Sequence, residues 1–168
     1  MSDFKHSVAI VPGSFDPITN GHLDIIRRAA ESYDKVYVAV MINSEKKYAF
    51  TLEQRRRIAE AATEGIDRVE VISSEGYLWR LAEELGACAI VKGVRNEIDR
   101  EYELKMAEYN AERNPNARTV LLETAPELAH ISSTLVRERL ACGEDISDML
   151  PVGAIAVISE ILGKAIAY

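Results

Sequence analysis

Four stretches of the 168-residue chain carry side chains suited to gripping anions. Pro12 to His22 (PGSFDPITNGH) holds Ser14 and His22, and the polar stretch from Asn43 to Phe50 holds Lys46 and Lys47. Lys92-Gly93-Val94-Arg95 adds two cations, and Ile131-Ser132-Ser133-Thr134-Leu135-Val136-Arg137 adds hydroxyls and a guanidinium. Each has an ordinary explanation by itself, since a lysine pair is usually a solvated loop and a serine pair usually a helix cap. Together they suit a polyphosphate and a second anionic substrate, not an apolar ligand. In the first stretch Gly13 allows a bend or a close backbone approach, and Pro17 stiffens the turn. Thr19 or Asn20 can cap the helix that follows. Helix N-termini favour anions because free N–H groups and the macrodipole are both positive there. His22, in that first turn, supplies a further ring N–H donor.

These groups need a scaffold that brings distant segments together. Ser7 to Val11 is a short apolar strand before the turn, and Leu23 to Ala30 is amphipathic after it. Lys35 to Met41 (KVYVAVM) is a second strand, and Thr51-Leu52-Glu53-Gln54 matches a capping box that starts a helix over Leu52 to Thr63. Arg68 to Ile72 is a third strand, Tyr77 to Leu85 a helix ending at Gly86, and Ala87 to Val91 a buried fourth strand. Ile98 to Glu112 is a charged helix with Ile98, Tyr102, Met106 and Tyr109 on one face, a stripe expected in the core. Thr119 to Leu122 is a fifth strand. Thr134 to Cys142 is a helix served by Ser132 or Ser133 and ended by Gly143. A turn from Ile146 to Leu150 leads to a last helix over 152–168, expected to pack on the domain or to lie at an oligomer interface.

The alternation predicts an α/β fold: a Rossmann-like five-stranded parallel sheet with helices on both faces, in a single domain spanning 1–168. Ligands of such folds bind beyond the carboxyl ends of the strands, near the point where strand order reverses. The anion-gripping stretches all follow predicted strands, which places them on that one edge.

Apolar residues make up 48% of the chain and charged residues 28%, the balance of an ordinary globule. A formal charge of −7 without a basic tail or stripe speaks against gripping nucleic acid. Cys88 and Cys142 form no C-x-x-C pair, and Cys88, in an apolar run, is expected in the core. Val8 to Val11 is too short for a signal-peptide core, and Val152 to Tyr168, carrying Glu160 and Lys164, is short for a membrane span. The expected compartment is the cytoplasm.

Thr19-Asn20-Gly21-His22, a T-x-G-H after a first strand, resembles the signature of the HxGH nucleotidyltransferase superfamily. PGSFDPITNGH as a whole resembles the phosphopantetheine adenylyltransferase family within it. Lys46-Lys47 followed by Phe50-Thr51-Leu52-Glu53 is similar to that family's lysine loop, and Lys92 to Arg95 to its R-G-[LV]-R segment. Asp99, Glu101-Tyr102-Glu103, Met106-Ala107 and Asn110 resemble its D-F-E-Y-E…M-A…N helix, and Ile131 to Arg137 its I-S-S-[ST]-x-[IV]-[RK] motif.

The resemblance implies reversible adenylyl transfer, in which ATP and 4′-phosphopantetheine give 3′-dephospho-coenzyme A and pyrophosphate. It implies catalytic roles for His22, as a transition-state stabiliser, and for Ser14, Lys46 and Arg95. ATP would be held by Ser14, Phe15, His22, Gly93, Val94, Arg95 and Glu103, with Leu128, Ala129, His130, Ile131, Ser132, Ser133 and Thr134. Phosphopantetheine would be held by Ser14, Lys46, Leu78 and Lys92. Mg²⁺ would accompany the nucleotide, with no ligand from protein side chains. A homohexamer and feedback by coenzyme A are also implied, with no nucleic-acid or membrane partner.

The chemistry is coherent. A phosphate monoester is already nucleophilic at neutral pH, so alignment and charge neutralisation suffice, and His22 fits better as a donor than as a base. Four positions depart from the family pattern. Lys92 stands for Arg and lacks the bidentate fork, Arg100 stands for Phe, and Leu128 and His130 stand where aromatics are frequent. Two other readings remain at this point: a sister nucleotidyltransferase acting on nicotinate mononucleotide or glycerol phosphate, and a non-catalytic nucleotide-binding protein. The D-x-E-Y-E helix favours pantetheine over the first, and intact His22, Ser14, Lys46 and Arg95 disfavour the second.

Overall fold

The β-branched runs of the sequence pair into one sheet in the computed structural model, which describes residues 6–164. Strands β1 (Val8–Gly13), β2 (Lys35–Met41), β3 (Val69–Ser74), β4 (Ala89–Val94) and β5 (Arg118–Glu123) are all parallel, in the order β3-β2-β1-β4-β5. Helices α1 (Asn20–Ser32), α2 (Leu52–Thr63), α3 (Leu78–Leu85) and α4 (Glu97–Arg113) connect them, and α5 (Ser133–Ala141) and α6 (Val152–Leu162) follow β5. Side chains alternate across a strand, so each central strand feeds two cores. Val11, Val38, Val40 and Val91 meet Ile25 and Ile26 of α1, Ile58 of α2 and Ile155 of α6 on one face. Ile10, Ala39 and Ile90 meet Leu81 and Ala82 of α3 on the other. The predicted α/β class and parallel sheet hold.

The sheet opens where winding reverses. β1 and β2 pair over six residues, from Val8 opposite Lys35 to Gly13 opposite Val40. β1 and β4 pair only at Ala9 with Ala89 and Ile10 with Ile90. Past those residues the carboxyl halves of β1 and β4 no longer pair with each other, although each keeps its outer partner, which leaves a crevice at the switch point of the fold.

Several expectations need correction. β4 does not stop at Val91 but continues to Val94, with Lys92 opposite Leu121 and Gly93 opposite Leu122. Lys92 and Gly93 are therefore strand residues. A Cβ at Gly93 would stand 2.9 Å from Cγ1 of Ile25, so glycine lets α1 lie close to the strand. The α4 stripe is not core: Ile98 is 79% exposed and Tyr102 60%, and Met106 and Tyr109 are exposed as well. The face is apolar, but no element among the described residues covers it. Cys88 is exposed too, because it precedes β4 at the amino-terminal edge of the sheet, and both cysteines are free. The last helix ends at Leu162 with Gly163 in the left-handed conformation (φ 66°) as its cap. Residues 165–168 of that expectation lie outside the described ones.

α6 earns its place by contact with α2. Gly153 lies so close to the α2 backbone that a Cβ would sit 2.3 Å from the Ala61 carbonyl oxygen. Among the described residues no helix is long and apolar enough to cross a membrane.

Candidate active site

The crevice between β1 and β4 is a cleft of about 570 Å³. All four predicted stretches line it, through Ser14, Phe15 and His22, through Lys46 and Lys47, through Lys92, Gly93 and Arg95, and through Ile131 to Thr134 and Arg137. Asp99 and Glu103 reach it from α4. Five cations face three carboxylates (Asp16, Asp99, Glu103) there, although the whole chain carries −7. A pocket with that local sign attracts small anions against the global charge.

Local sequence builds the first wall. Thr19 is the N-cap of α1 and forms a capping box with His22 in place of the usual Glu or Gln. The Thr19 backbone N–H donates to Nδ1 of His22 at 3.0 Å, and the Thr19 hydroxyl accepts from the His22 backbone N–H at 3.4 Å. A ring nitrogen that accepts cannot carry the proton in the neutral tautomer, so the hydrogen lies on Nε2. Burial of the ring, and then Arg95 and Lys92 nearby, lower the His22 pKa from 6.5 to about 4. Each cause penalises the imidazolium. His22 at neutral pH is thus an uncharged N–H donor. The edge-on ring of Phe15, with centroids 5.1 Å apart, packs against it. Phe15 itself adopts φ +46°, a strained conformation for a bulky residue. Gly13 makes room for its ring, which a Cβ would meet at 3.0 Å.

The second wall is cationic. Lys46 extends from the loop after β2 and its Nζ reaches Oγ of Ser14 at 3.5 Å. Lys92 pairs with Glu103 at 3.3 Å, and Arg95 pairs through Nε with Asp99 at 3.1 Å. The fourth stretch is fastened to the first. Ser132 caps α5 through Leu135 N–H, and the Ser133 hydroxyl donates to the Pro17 carbonyl at 2.8 Å. Arg137 donates to the Asp16 carbonyl at 2.8 Å. Thus residues 115 or more apart in sequence close one rim.

The predicted residues divide. Leu78, Val94, Leu128, Ala129 and His130 do not line this cleft. Leu78 packs beside Leu81 on the α3 face, Val94 is buried, and His130 is exposed. Among the described residues no group of three His, Cys, Asp or Glu side chains could hold a metal.

A family model described as cytidylyltransferase-like matches residues 10–139, from β1 into α5. Curated relatives named phosphopantetheine adenylyltransferase match nearly end to end. The protein from Lactobacillus johnsonii is 44% identical over 92% of this chain and 93% of its own. That of Clostridium beijerinckii is 42% identical over 94% of this chain and 97% of its own, and that of Streptococcus gordonii 42% identical over 92% and 93%. The chain belongs to the phosphopantetheine adenylyltransferase family. It joins that family with the T-x-G-H helix start, the lysine loop and the Ser132–Ser133 cap gathered on one cleft.

Two residues at this phosphopantetheine adenylyltransferase cleft escaped the sequence reading. Asp16 is 3% exposed, and its carboxylate accepts the Ala49 and Phe50 N–H groups at 2.9 and 3.0 Å. Arg55 is 1% exposed beneath the same loop. The signal for Arg55 was its helical phase: it shares a face with Ile58, Ala59 and Ala62, which are all buried.

Proposed function

We propose that the chain transfers the adenylyl group of ATP to 4′-phosphopantetheine, forming 3′-dephospho-coenzyme A and pyrophosphate, reversibly. An acceptor phosphate oxygen forms a bond to the α-phosphorus while the bond from that phosphorus to the bridging oxygen breaks. Pyrophosphate leaves with the electron pair. The acceptor is already an anion, so no residue has to remove a proton from it. What the site must do is bring two anions into line and receive charge on the pentacoordinate phosphorus.

The observation that carries the reading is His22, a neutral ring lining the cleft with Nδ1 engaged by Thr19 and Nε2–H left for a ligand. Oriented donors of this kind contribute a few kcal/mol each to such reactions, about 3 kcal/mol by mutagenesis elsewhere. Ser14 and Lys46, side by side, and Lys92 suit the acceptor phosphate. Gly93, Arg95, Glu103, the Phe15 amide and Ile131 to Thr134 suit ATP. The pantetheine arm would run toward Leu78, and the adenine toward Val94 and Leu128 to His130, beyond the cleft proper. Mg²⁺ fits as a passenger of the nucleotide. Asp16, Asp99 and Glu103 are each occupied by amides or cations, which favours a metal held by phosphate oxygens. When bound, that ion supplies further charge neutralisation.

The exposed α4 stripe, with Tyr102 60% exposed beside Ile98, supports assembly of copies into a hexamer, a better candidate than α6, whose buried face is spent on α2. Feedback by coenzyme A belongs to the same reading, since its nucleotide and pantetheine would occupy the same cleft. Free Cys88 and Cys142 suit the cytoplasm. The test is pyrophosphate release from ATP and Mg²⁺ with phosphopantetheine, nicotinate mononucleotide or glycerol phosphate. The reading expects release with the first alone. Release with another acceptor and none with phosphopantetheine would reassign the substrate.

A further inference from the structure

Arg55 is the largest fully buried side chain among the described residues, and burying a guanidinium costs several kcal/mol unless its donors are satisfied. Here three of its five donors are taken up by three separate backbone segments. Nη1 donates to the Ser14 carbonyl at 2.7 Å and to the Met41 carbonyl at 3.0 Å, and Nε donates to the Phe50 carbonyl at 3.3 Å. The guanidinium carbon also lies 3.9 Å from the centre of the Tyr48 ring. These contacts join the residue after β1, the last residue of β2 and the end of the lysine loop.

Asp16 holds the same loop from the other side, through the Ala49 and Phe50 amides. Tyr48 closes it at its base, where its hydroxyl accepts the Asn43 N–H at 2.6 Å. Lys46 therefore sits on a six-residue loop, Asn43 to Tyr48, that is pinned at both ends. The pinning reaches Ser14 directly, because the carbonyl that Arg55 grips belongs to it.

We propose that Arg55 and Asp16 are positioning residues, a buried clasp that sets Lys46 against Ser14 so that the two converge on the acceptor phosphate. Their polar groups are turned to the backbone of the chain itself, the Asp16 carboxylate to two amides and the Arg55 guanidinium to three carbonyls. The clasp bears on the acceptor side, through Ser14 and the lysine loop. Its tie to α5 is Arg137, which donates to the Asp16 backbone carbonyl at 2.8 Å and lies 3.8 Å from the Asp16 carboxylate. The three carbonyls are reached from two nitrogens of one planar group that also lies on the Tyr48 ring, a spread that the single nitrogen of a lysine does not reproduce. The inference rests on the proposed acceptor site, and its tests separate the two.

Arg55→Met, Arg55→Lys, Asp16→Asn and Tyr48→Leu are compared with wild type at a temperature where each is folded by circular dichroism. Tyr48 lies at the loop, so its variant remains informative if a buried one does not fold. The expected result is a KM for phosphopantetheine raised at least tenfold in the Arg55 variants and about fivefold in the others, with KM for ATP within twofold. Arg55→Lys recovers less than half of the loss. Amide hydrogen exchange supplies a readout free of substrate. Ala49 and Phe50 lose protection in Asp16→Asn, while β1 and β2 keep theirs. Unchanged KM for both substrates, equal rises in both, or unchanged exchange at Ala49 and Phe50 overturns the clasp. A wild type inactive on phosphopantetheine but with the exchange result as expected overturns the substrate and leaves the clasp standing.

Discussion

Lowering the pH from 7 to 4 tests the tautomer and charge of His22. The folded pKa is about 4 and the ordinary value 6.5, a gap of about 2.5 pH units. At 1.36 kcal/mol per unit this amounts to about 3 kcal/mol as an upper bound, since part of the effect comes from Arg95 and Lys92, which salt screens. The sign follows from proton counting. Below 6.5 the unfolded chain takes up a proton at this ring and the folded chain does not, so stability falls as pH drops from 6.5 to about 4 and then levels. Urea unfolding across that window, for wild type and His22→Ala, isolates the contribution, because carboxylates that titrate there act in both proteins. The wild type loses up to about 3 kcal/mol more than the variant. Nitrogen-15 NMR reads the ring directly. Nε2 bears the proton at pH 7, and the midpoint lies near 4. A midpoint near 6.5, a proton on Nδ1, or pH profiles of the two proteins that run parallel would refute the account of this site.

Lys92→Arg restores a bidentate fork at the cleft and is expected to lower KM for phosphopantetheine about fivefold, roughly 1 kcal/mol; an unchanged or higher KM in a steady-state assay counts against a phosphate at this position. Gly153→Ala places a Cβ 2.3 Å from the Ala61 carbonyl and must push α6 off α2. A loss of about 1–3 kcal/mol is expected in chemical denaturation, and a neutral effect would mean that the two helices are not so closely apposed. Tyr102→Asp puts a charge on the exposed α4 face. Sedimentation should show smaller assemblies than wild type, whereas an assembly state unchanged from wild type would move the interface elsewhere.

What was legible in the sequence, and what was not, follows from the physics of each signal. The capping box at Thr51, a cap at Thr19 or Asn20 and the β-branched strands are local signals; the box appears where expected, and Thr19 is the cap. The Lys-Gly pair at 92 and 93 broke the apolar run and shortened β4 on paper, yet the ladder to β5 continues because backbone pairing is indifferent to those side chains. Periodicity marked the α4 stripe as apolar but could not say what would cover it, and Ile98 and Tyr102 face outward. Cys88 shared the composition of β4 without sharing its position, which is the uncovered end of the sheet. Arg55 stood between Gln54 and two further arginines, and a buried arginine is rare enough that only helical phase argued for it. The gathering of the four stretches was legible because each lies at or beyond the carboxyl end of a strand of one parallel sheet. The distances that make His22 a neutral donor and Lys46 a partner of Ser14 were not, because they depend on contacts between residues far apart in the chain.

The central claim is that His22 stabilises the transition state of adenylyl transfer to phosphopantetheine. Pyrophosphate release from ATP and Mg²⁺ with phosphopantetheine, measured for wild type and His22→Ala beside ATP binding by calorimetry, tests it most directly. Loss of one oriented donor corresponds to a fall of about 100- to 1,000-fold in kcat, with ATP affinity retained. Turnover unchanged in His22→Ala would contradict the account.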